Sequence, residues 1–549
     1  MRVICESPAG FVLSVMMFAV APSLCTAADG HVSVQIIDQN GEVTPARAWV
    51  AANGKRLFQP AQPDTATPYA RDRSFSCDGR FTMALPKGQA IIHVEKGKEF
   101  LPVDVEVDIV VAQTLEQTIQ IDRWINMPQQ GWYSADLHVH FGHDKPGVLR
   151  QLALADDVHL IPAFTYWLRG RGETWDAKWP GGDFTQPLVI DEHHIITRNN
   201  IEIERIDSKS GPGAEIGATF LFNLNQPVTA ARYGEHFPSD AELCRVARQN
   251  SPRAVFDSDK PSWAESVIGV ALGMLDTIQV CHNHYHRSET LPGGWGMIGP
   301  LAIGESNAAA GDGLFHRTNS LYYRFLNCGF RLGVSGGSAI GVMPLPTGYN
   351  RLYARIDGEL TADKLWLAID NGRTFATSGP MLTLTANEQS IGDTVAIGSN
   401  QPQGVLVRTT VKSIEQLESL EIVHNGRIVA FQELAKDAPD PIVDSELTFT
   451  LTPKRSGWVA ARALFRAPDG FLRQAHSSPI YVSVDDKPVA SKDDAQYMLR
   501  WIDQLATIAN THTDHFPDDQ ARQATLAIYA EAHAKYEQVM QQAQLHWGD

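Results

Sequence analysis

Hydrophobic and polar positions alternate from His31 onward, with Val32, Val34 and Ile36 on one face and Asp38-Gln39-Asn40-Gly41 supplying turn chemistry after them. The same period of two returns at Val103, Val105, Val107 and Ile109, and Asn53-Gly54, Asp78-Gly79 and Lys96-Gly97 punctuate the interval. Short alternating runs separated by such turns predict a small β-sandwich over residues 29–122. From 123 to 380 the pattern changes: residues 147–155 lead as a helical stretch into an apolar run at 158–164, and 365–371 lead likewise into 374–377. That alternation predicts an α/β layer or barrel. Strand patterning resumes over 381–485, where Asn425-Gly426 stands between two apolar runs as a hairpin signal, because both residues tolerate positive φ. This region predicts a second β-sandwich. Residues 486–549 are helical in pattern. Met498, Trp501, Ile502, Leu505 and Ile508 follow Ser491 as N-cap, and Leu526, Tyr529, His533, Tyr536 and Met540 form a second stripe. A helical hairpin packed on the preceding domains is expected, in preference to a dimerisation element. The fold class is therefore multidomain α/β plus all-β.

A chain of 549 residues exceeds what one core organises, in keeping with several domains. Residues 1–28 open with Met1-Arg2, continue through an apolar run at 11–21, and end in Cys25-Thr26-Ala27-Ala28, the pattern of a signal peptide. The apolar run is too short to span a bilayer. Leu24 stands where a lipobox takes a small residue, which argues against lipoprotein anchoring. No later segment has the length and purity of a membrane span, so a secreted or periplasmic protein without stable membrane insertion is expected. The formal net charge of −17, with no basic stretch interleaved with aromatics, argues against nucleic acid as a partner. Past the leader only Cys77, Cys244, Cys281 and Cys328 remain, scattered without close pairs. This argues against a disulfide scaffold and a zinc knuckle, and leaves one or two disulfides open. Serine-hydrolase elbows, phosphate-binding P-loops and dinucleotide fingerprints are all missing from the sequence.

The sharpest local feature is Asp136-Leu137-His138-Val139-His140. Residues two apart on a strand share a face, so His138 and His140 can present imidazole nitrogens to one metal while Leu137 and Val139 face the packed side. Glu202 and Glu204 repeat that spacing, and their bland reading is an exposed polar face. A third group, His282, His284, His286 and Arg287, follows the apolar run that ends at Val280. Trp167, Trp175, Trp179, Trp263 and Trp295 offer a platform for sugar rings or flat substrates, against core packing as the plainer account. Arg169, Arg171 and Arg287 offer partners for an anionic substrate group.

Three stretches, Gly131-Trp132-Tyr133 through His140, Ala155-Asp156-Asp157-Val158-His159-Leu160, and Tyr322-Tyr323-Arg324 through Arg331, resemble the polymerase and histidinol phosphatase (PHP) superfamily. More narrowly they resemble its secreted carbamate-hydrolase-like metallohydrolase branch, and Gly372 through Pro380 is similar to that branch's closing segment. The region 29–122 is similar to a carboxypeptidase regulatory-like domain. The resemblance implies a distorted β/α barrel, flanked by the two β-sandwiches, with a di- or trinuclear site of zinc, manganese or iron. Such a site activates water for ester, phosphoester or carbamate hydrolysis. Carried over by residue, His138 and His140 match the opening motif and Glu202 the bridging carboxylate. Two departures stand out. Where the second motif supplies Asp-His, this chain has Ala163-Phe164-Thr165-Tyr166-Trp167, and Ser338 stands where the closing motif carries a carboxylate.

The expected site is accordingly smaller than the family's: His138, His140, Glu202 and His284 hold divalent metal, with His159, Asp257 and His282 as second choices. Imidazoles in this number suit zinc, with manganese or iron as alternatives. Asp136 and His284 are the expected catalytic groups, Asp136 by orienting a ligand or sharing the metal. Trp167, Arg169 and Arg287 are the expected contacts to a small-molecule or glycan-derived substrate. Two other readings stand beside this exported hydrolase. One is a catalytically degenerate PHP-like protein that binds glycans or surface polymers, and the other is an envelope protein with a single structural metal.

Overall fold

The computed structural model describes residues 29–54, 56–58, 60, 66–68, 73–140, 145–169, 184–205, 216–228, 236–291, 311–343, 345–398, 404–434 and 441–548. The expected signal peptide, Arg171, Trp175, Trp179 and Trp295 lie outside the described residues, as does the side chain of Arg169. The protein is multidomain and mixed α/β, richer in strand than in helix, with several sheets.

The period-two pattern at the start becomes strand Asp29–Ile37, whose residues alternate between buried and half-buried. It pairs antiparallel with Arg80–Pro86 and parallel with Thr114–Gln120. A second sheet is centred on Ala46–Ala52, flanked by Phe75–Cys77 and Gly88–Glu95, with Val103–Ile109 beyond. Val32, Val34, Ile36, Val50, Phe81 and Ile92 share the apolar core between the two sheets.

The central region is built on strands Trp132–Ala135, Leu160–Arg169 and Ile195–Arg205, which run parallel. Gly217–Phe222 reverses direction, and Val255–Ser258, Thr277–Cys281 and Gly333–Gly336 are again mutually parallel. The two ends of this run meet at residues 136–140. Val139 bridges Ala163 on one side and Ile340 on the other, both in parallel sense. Leu137 N donates to Gly336 O and His140 N to Ile340 O, each at 3.1 Å, and Phe164 N donates to Val139 O at 3.0 Å. Backbone pairing thus closes a ring. The expected helices are present as Pro146–Ala155 ahead of the second strand and Ala362–Asp370 ahead of Thr374–Thr377.

The same sheet does not stop at residue 380. Trp132–Ala135 pairs with Arg351–Arg355, which pairs with Thr374–Thr377, which pairs in turn with Leu472–Ser477. Gly457–Arg466, Leu417–His424 and Arg427–Glu433 extend the path. A separate sheet containing Met381–Ala386, Val405–Ser413 and Val443–Leu451 packs on it, with Leu382, Val407, Leu420, Ile422 and Ala461 in the shared core. The second sandwich therefore borrows one of its sheets from the central region. Asn425 (φ 47°) and Gly426 (φ 79°) make the tight turn their residue types favour.

Helices Lys492–Thr511 and Asp519–Trp547 form the C-terminal hairpin, and Ser491 caps the first through a bond from Asp494 N. Met498, Trp501, Ile502 and Leu505 are buried in the central core. Tyr529 Oη donates to Glu265 at 2.7 Å and Tyr536 Oη to Val267 O at 3.1 Å, which dock the second helix. Cys77, Cys244, Cys281 and Cys328 are all buried free thiols. No helix among the described residues is long and apolar enough to cross a membrane.

Buried charges fasten the first sandwich to the ring. Arg47 grips Asp156 in a fork, Nε to Oδ1 at 2.7 Å and Nη2 to Oδ2 at 2.6 Å, and Arg123 bridges Glu99 at 2.6 Å and Asp157 at 3.1 Å. Removing one member of a buried pair strands the other without solvent, at a cost of about 3–5 kcal/mol. Asp156→Ala is expected to lower the urea unfolding free energy by about that amount, whereas Asp363→Ala, which breaks the exposed pair with Arg253, changes it by less than about 1 kcal/mol. Equal effects of the two substitutions would contradict this account of the interface.

Candidate metal centre

The segment that closes the ring also carries the site. Leu137 and Val139 are fully buried in apolar clusters, which turns the alternate positions Asp136, His138 and His140 to the other side. His138 Nε2 lies 2.9 Å from His140 Nε2. Glu202, on strand Ile195–Arg205, places Oε2 3.1 Å from His140 Nε2 and Oε1 3.8 Å from His138 Nε2. Ligand atoms of all three residues fall within 4.8 Å of one another, and all three side chains are nearly inaccessible. Two imidazole nitrogens at this separation cannot both present bare lone pairs; a proton or a cation must lie between them. A tetrahedral zinc ion with bonds of about 2.0–2.1 Å sets its ligand atoms about 3.3 Å apart. The donor set fits one divalent cation.

His138 is held from behind. Its Nδ1 lies 3.3 Å from Asp259 Oδ1, while Asp259 Oδ2 accepts from Lys260 Nζ and, at 3.1 Å, from Trp263 Nε1. Burial alone would raise the Asp259 carboxyl, but the Lys260 ammonium and His138 outweigh it and hold it well below the usual carboxylate range. An ionised carboxylate beside Nδ1 favours a proton on that nitrogen, which leaves the Nε2 lone pair for a metal. Around the imidazoles stand aromatic walls: Phe220 and Phe164 lie 4.5 and 5.9 Å from His138, and Trp167 lies 4.3 Å from His140, ring centre to ring centre. Trp167 Nε1 donates to Glu204 at 3.0 Å, so Glu204 serves the tryptophan while Glu202 serves the site. Gly337 is required here. A Cβ on it would fall 2.4 Å from His138 Cβ.

Several expected site residues have other employment. Asp136 is fully buried; its Oδ1 accepts from His138 N (3.0 Å) and Ser338 N (2.9 Å) and its Oδ2 from Gly348 N (2.7 Å). Backbone donors occupy both oxygens, so it pins loops together and is not placed to share a metal. Asp257 accepts from Thr277 (2.6 Å), Ser335 (2.5 Å) and Gln279 (2.9 Å), a neutral cage inside the ring. His159 Nδ1 accepts from Ser134 N at 2.8 Å, which places its proton on Nε2 and removes it as a ligand. It stands before strand Leu160–Arg169, whereas His138 and His140 follow the parallel strand Trp132–Ala135, so it belongs to the opposite end of the ring. His282 Nδ1 accepts from His284 N at 3.3 Å and its Nε2 faces Thr318 Oγ1 at 3.3 Å, so both nitrogens are engaged. Arg287 is tied to Glu95 of the first sandwich at 2.8 and 3.0 Å, away from any substrate role.

His284 is not brought into the three-residue ligand group. Burial, and then the Lys260 charge, hold both His284 and His282 well below the ordinary imidazole range, so both are neutral. Asp259 and Lys260 were not singled out from the sequence, although Asp257-Ser258-Asp259 repeats the same period of two as the histidine pair.

No known protein family matches this chain, and no curated protein matches it. Among solved structures, a minor pilin of Streptococcus agalactiae, GBS52, is similar at 12% identity and a TM-score of 0.15, covering 18% of this chain and 46% of the pilin. The TIE protein of Bacillus anthracis is similar at 7% identity and a TM-score of 0.14, covering 83% of this chain and 50% of that protein. The chain thus spans about half the length of these structures. Similarity at this level carries no argument about fold or function.

The Asp257 cage generates a pH prediction. Burial pushes its carboxyl from 3.8 up to about 7, so the folded state holds a proton that the unfolded chain gives up. The stability it contributes is fully present below the unfolded value near pH 4 and is lost as pH rises through about 7. Asp257→Asn, which keeps a neutral polar group, is expected to flatten the fall in unfolding free energy between pH 4 and 7. An unchanged slope in urea titrations across that range would rule out Asp257 as its source.

Proposed function

We propose that the chain is an exported PHP-like metal-dependent hydrolase that acts on an ester, phosphoester or carbamate bond. The observation that carries the reading is the convergence of His138 Nε2, His140 Nε2 and Glu202, with Asp259 Oδ1 3.3 Å behind His138 Nδ1. Closure of the parallel strands into a ring through residues 136–140 supports the PHP-like barrel, and the leader pattern of residues 1–28 supports export.

In this reading His138, His140 and Glu202 hold one divalent cation, zinc being the best match to two imidazoles and a carboxylate. When bound, such a cation polarises the scissile group and makes hydroxide accessible near neutral pH. The protein supplies the rest. Asp259 and Lys260 keep His138 oriented, and Trp167 and Phe164 stand beside His140. The substrate is a small molecule or a glycan fragment.

A second reading, a catalytically degenerate binder of glycans or surface polymers, is favoured by the phenyl rings of Phe164 and Phe220, which stand beside His138 where a multinuclear site needs further ligands. Metal content and turnover separate the two. Purified without chelator, the wild-type chain is expected to carry metal and to hydrolyse at least one member of an ester, phosphoester and carbamate panel. His138→Ala with His140→Ala is expected to abolish both. Asp259→Asn is expected to weaken metal affinity about 10–100-fold while leaving the ligands in place. Metal-replete protein inert across the panel, with glycan binding intact, would transfer support to the second reading; failure to hold any metal would sink the first.

A further inference from the structure

A cavity that shares no residue with the centre at His138 lies where the first sandwich, the ring and the second sandwich meet. It holds about 240 Å³, and its walls include Lys98 and Phe100 of the first sandwich, Thr347 and Tyr349 of the ring, and Glu415 and Phe465 of the second sandwich. This is less than the roughly 300–1,000 Å³ of pockets that take drug-sized ligands, so a guest must be small. Lys98 is half-buried in its wall. Its Nζ donates to Ser378 O at 2.6 Å and lies 4.2 Å from the centre of the Tyr349 ring, which covers one side of the amine.

The charges facing Lys98 are Glu95 from the first sandwich, Arg287 and Arg351 from the ring, and Glu415 from the second sandwich. Burial, joined by the two arginines, pulls the amine from 10.5 down to about 7 against the two glutamates. Burial also pushes the Tyr349 phenol up to about 12, so that ring brings no negative charge to hold a proton on Lys98. The other titratable groups in the wall are occupied: His93 faces Glu95 and Asp104, and Asp156 is gripped by Arg47. At pH 7 a large share of the chains thus presents a neutral amine with a nucleophilic lone pair.

A buried amine is not by itself a site, as two other lysines show. Lys96 Nζ is clamped between Pro45 O at 2.8 Å and Leu154 O at 2.5 Å, and Lys260 is spent on Asp259. Neither of them lines this cavity. The cavity carries a second, independent pointer to a guest. Thr347 is 1% exposed, and its hydroxyl finds no hydrogen-bond partner among the described residues. Such a group is costly to bury unless an oxygen or nitrogen comes to meet it. The cations, by contrast, are already engaged, Arg287 with Glu95 and Arg351 with the carbonyls of Gly348, Asp156 and Asp157. An uncharged guest that carries an oxygen therefore suits these walls better than an anion.

We propose that Lys98 is a carbonyl-condensing amine, and that the cavity takes a short-chain aldehyde whose oxygen accepts a hydrogen bond from the Thr347 hydroxyl. The Nζ lone pair bonds to the carbonyl carbon, and one amine proton passes to the carbonyl oxygen. The resulting carbinolamine loses its hydroxyl, together with the second amine proton, as water. Amine and aldehyde thus become a Schiff base and one water, with no oxidation or reduction.

The test exposes the full-length wild-type chain briefly to glycolaldehyde and cyanoborohydride at pH 7 and reads the alkylated fraction of each lysine by peptide mass spectrometry. Cyanoborohydride delivers hydride to the imine carbon and fixes the adduct in place. Lys98 is expected to be labelled about 10-fold or more faster than the exposed Lys87 and Lys145. That preference is expected to vanish in guanidinium-unfolded chain, where the cavity does not exist. Thr347→Val is expected to slow labelling of Lys98 several-fold and to leave Lys87 and Lys145 unchanged. Labelling of native Lys98 no faster than that of the two exposed lysines would overturn the proposal. So would a preference that survives unfolding, since its cause would then be the local sequence, and an unchanged rate in Thr347→Val would overturn the part given to that hydroxyl.

Discussion

The structure depends on one doubly paired stretch of backbone, residues 136–140, which joins the strand series on both sides at once. Val139 is bridged to Ala163 and to Ile340, and Asp136 reaches across to the amides of Ser338 and Gly348. A strand pinned on two edges cannot rotate about its axis, and a slip of one residue would exchange every side chain between the two faces. Leu137 and Val139 therefore stay in the apolar clusters, and His138 and His140 are aimed at Glu202 without any contribution from a flexible loop. The close approach of Gly337 to His138 belongs to the same constraint, because the neighbouring strand must pass within contact of the imidazole-bearing backbone.

Electrostatics then separates groups that resemble one another in sequence. Asp136, Asp257 and Asp259 are all buried acids within the ring, yet each has a different employment. Asp136 spends its oxygens on amides, and Asp257 sits among hydroxyls and an amide and tends to keep its proton. Asp259 is kept ionised by Lys260 and turned to His138 Nδ1. Only the last arrangement orients a metal ligand, and it does so in surroundings of low polarity formed by Phe220 and Phe164, where a fixed charge acts with little screening.

Much of the fold was legible because its signals are local. The alternation at Val32, Val34 and Ile36 became the first strand, Asn425-Gly426 became the tight hairpin turn, and Ser491 became the cap of the penultimate helix. The histidine pair was legible for the same reason, since a period of two is all that is needed to place both rings on one face. What could not be read was set by partners far away in sequence. Arg287 looked available for substrate until Glu95 of the first sandwich claimed it, and His159 looked like a ligand until Ser134 filled its Nδ1. The sheet that runs past residue 380 into Leu472–Ser477 is likewise a long-range pairing that composition does not announce.

The central claim is that a cation, not a shared proton, belongs between His138 Nε2 and His140 Nε2. Anomalous scattering at the zinc edge from crystals grown with zinc tests it directly. The account predicts a peak about 2.0–2.1 Å from both nitrogens and from a Glu202 oxygen. A map with no peak there, and the two imidazoles still within hydrogen-bonding distance, would show that the pair is bridged by a proton and that the metal centre does not exist.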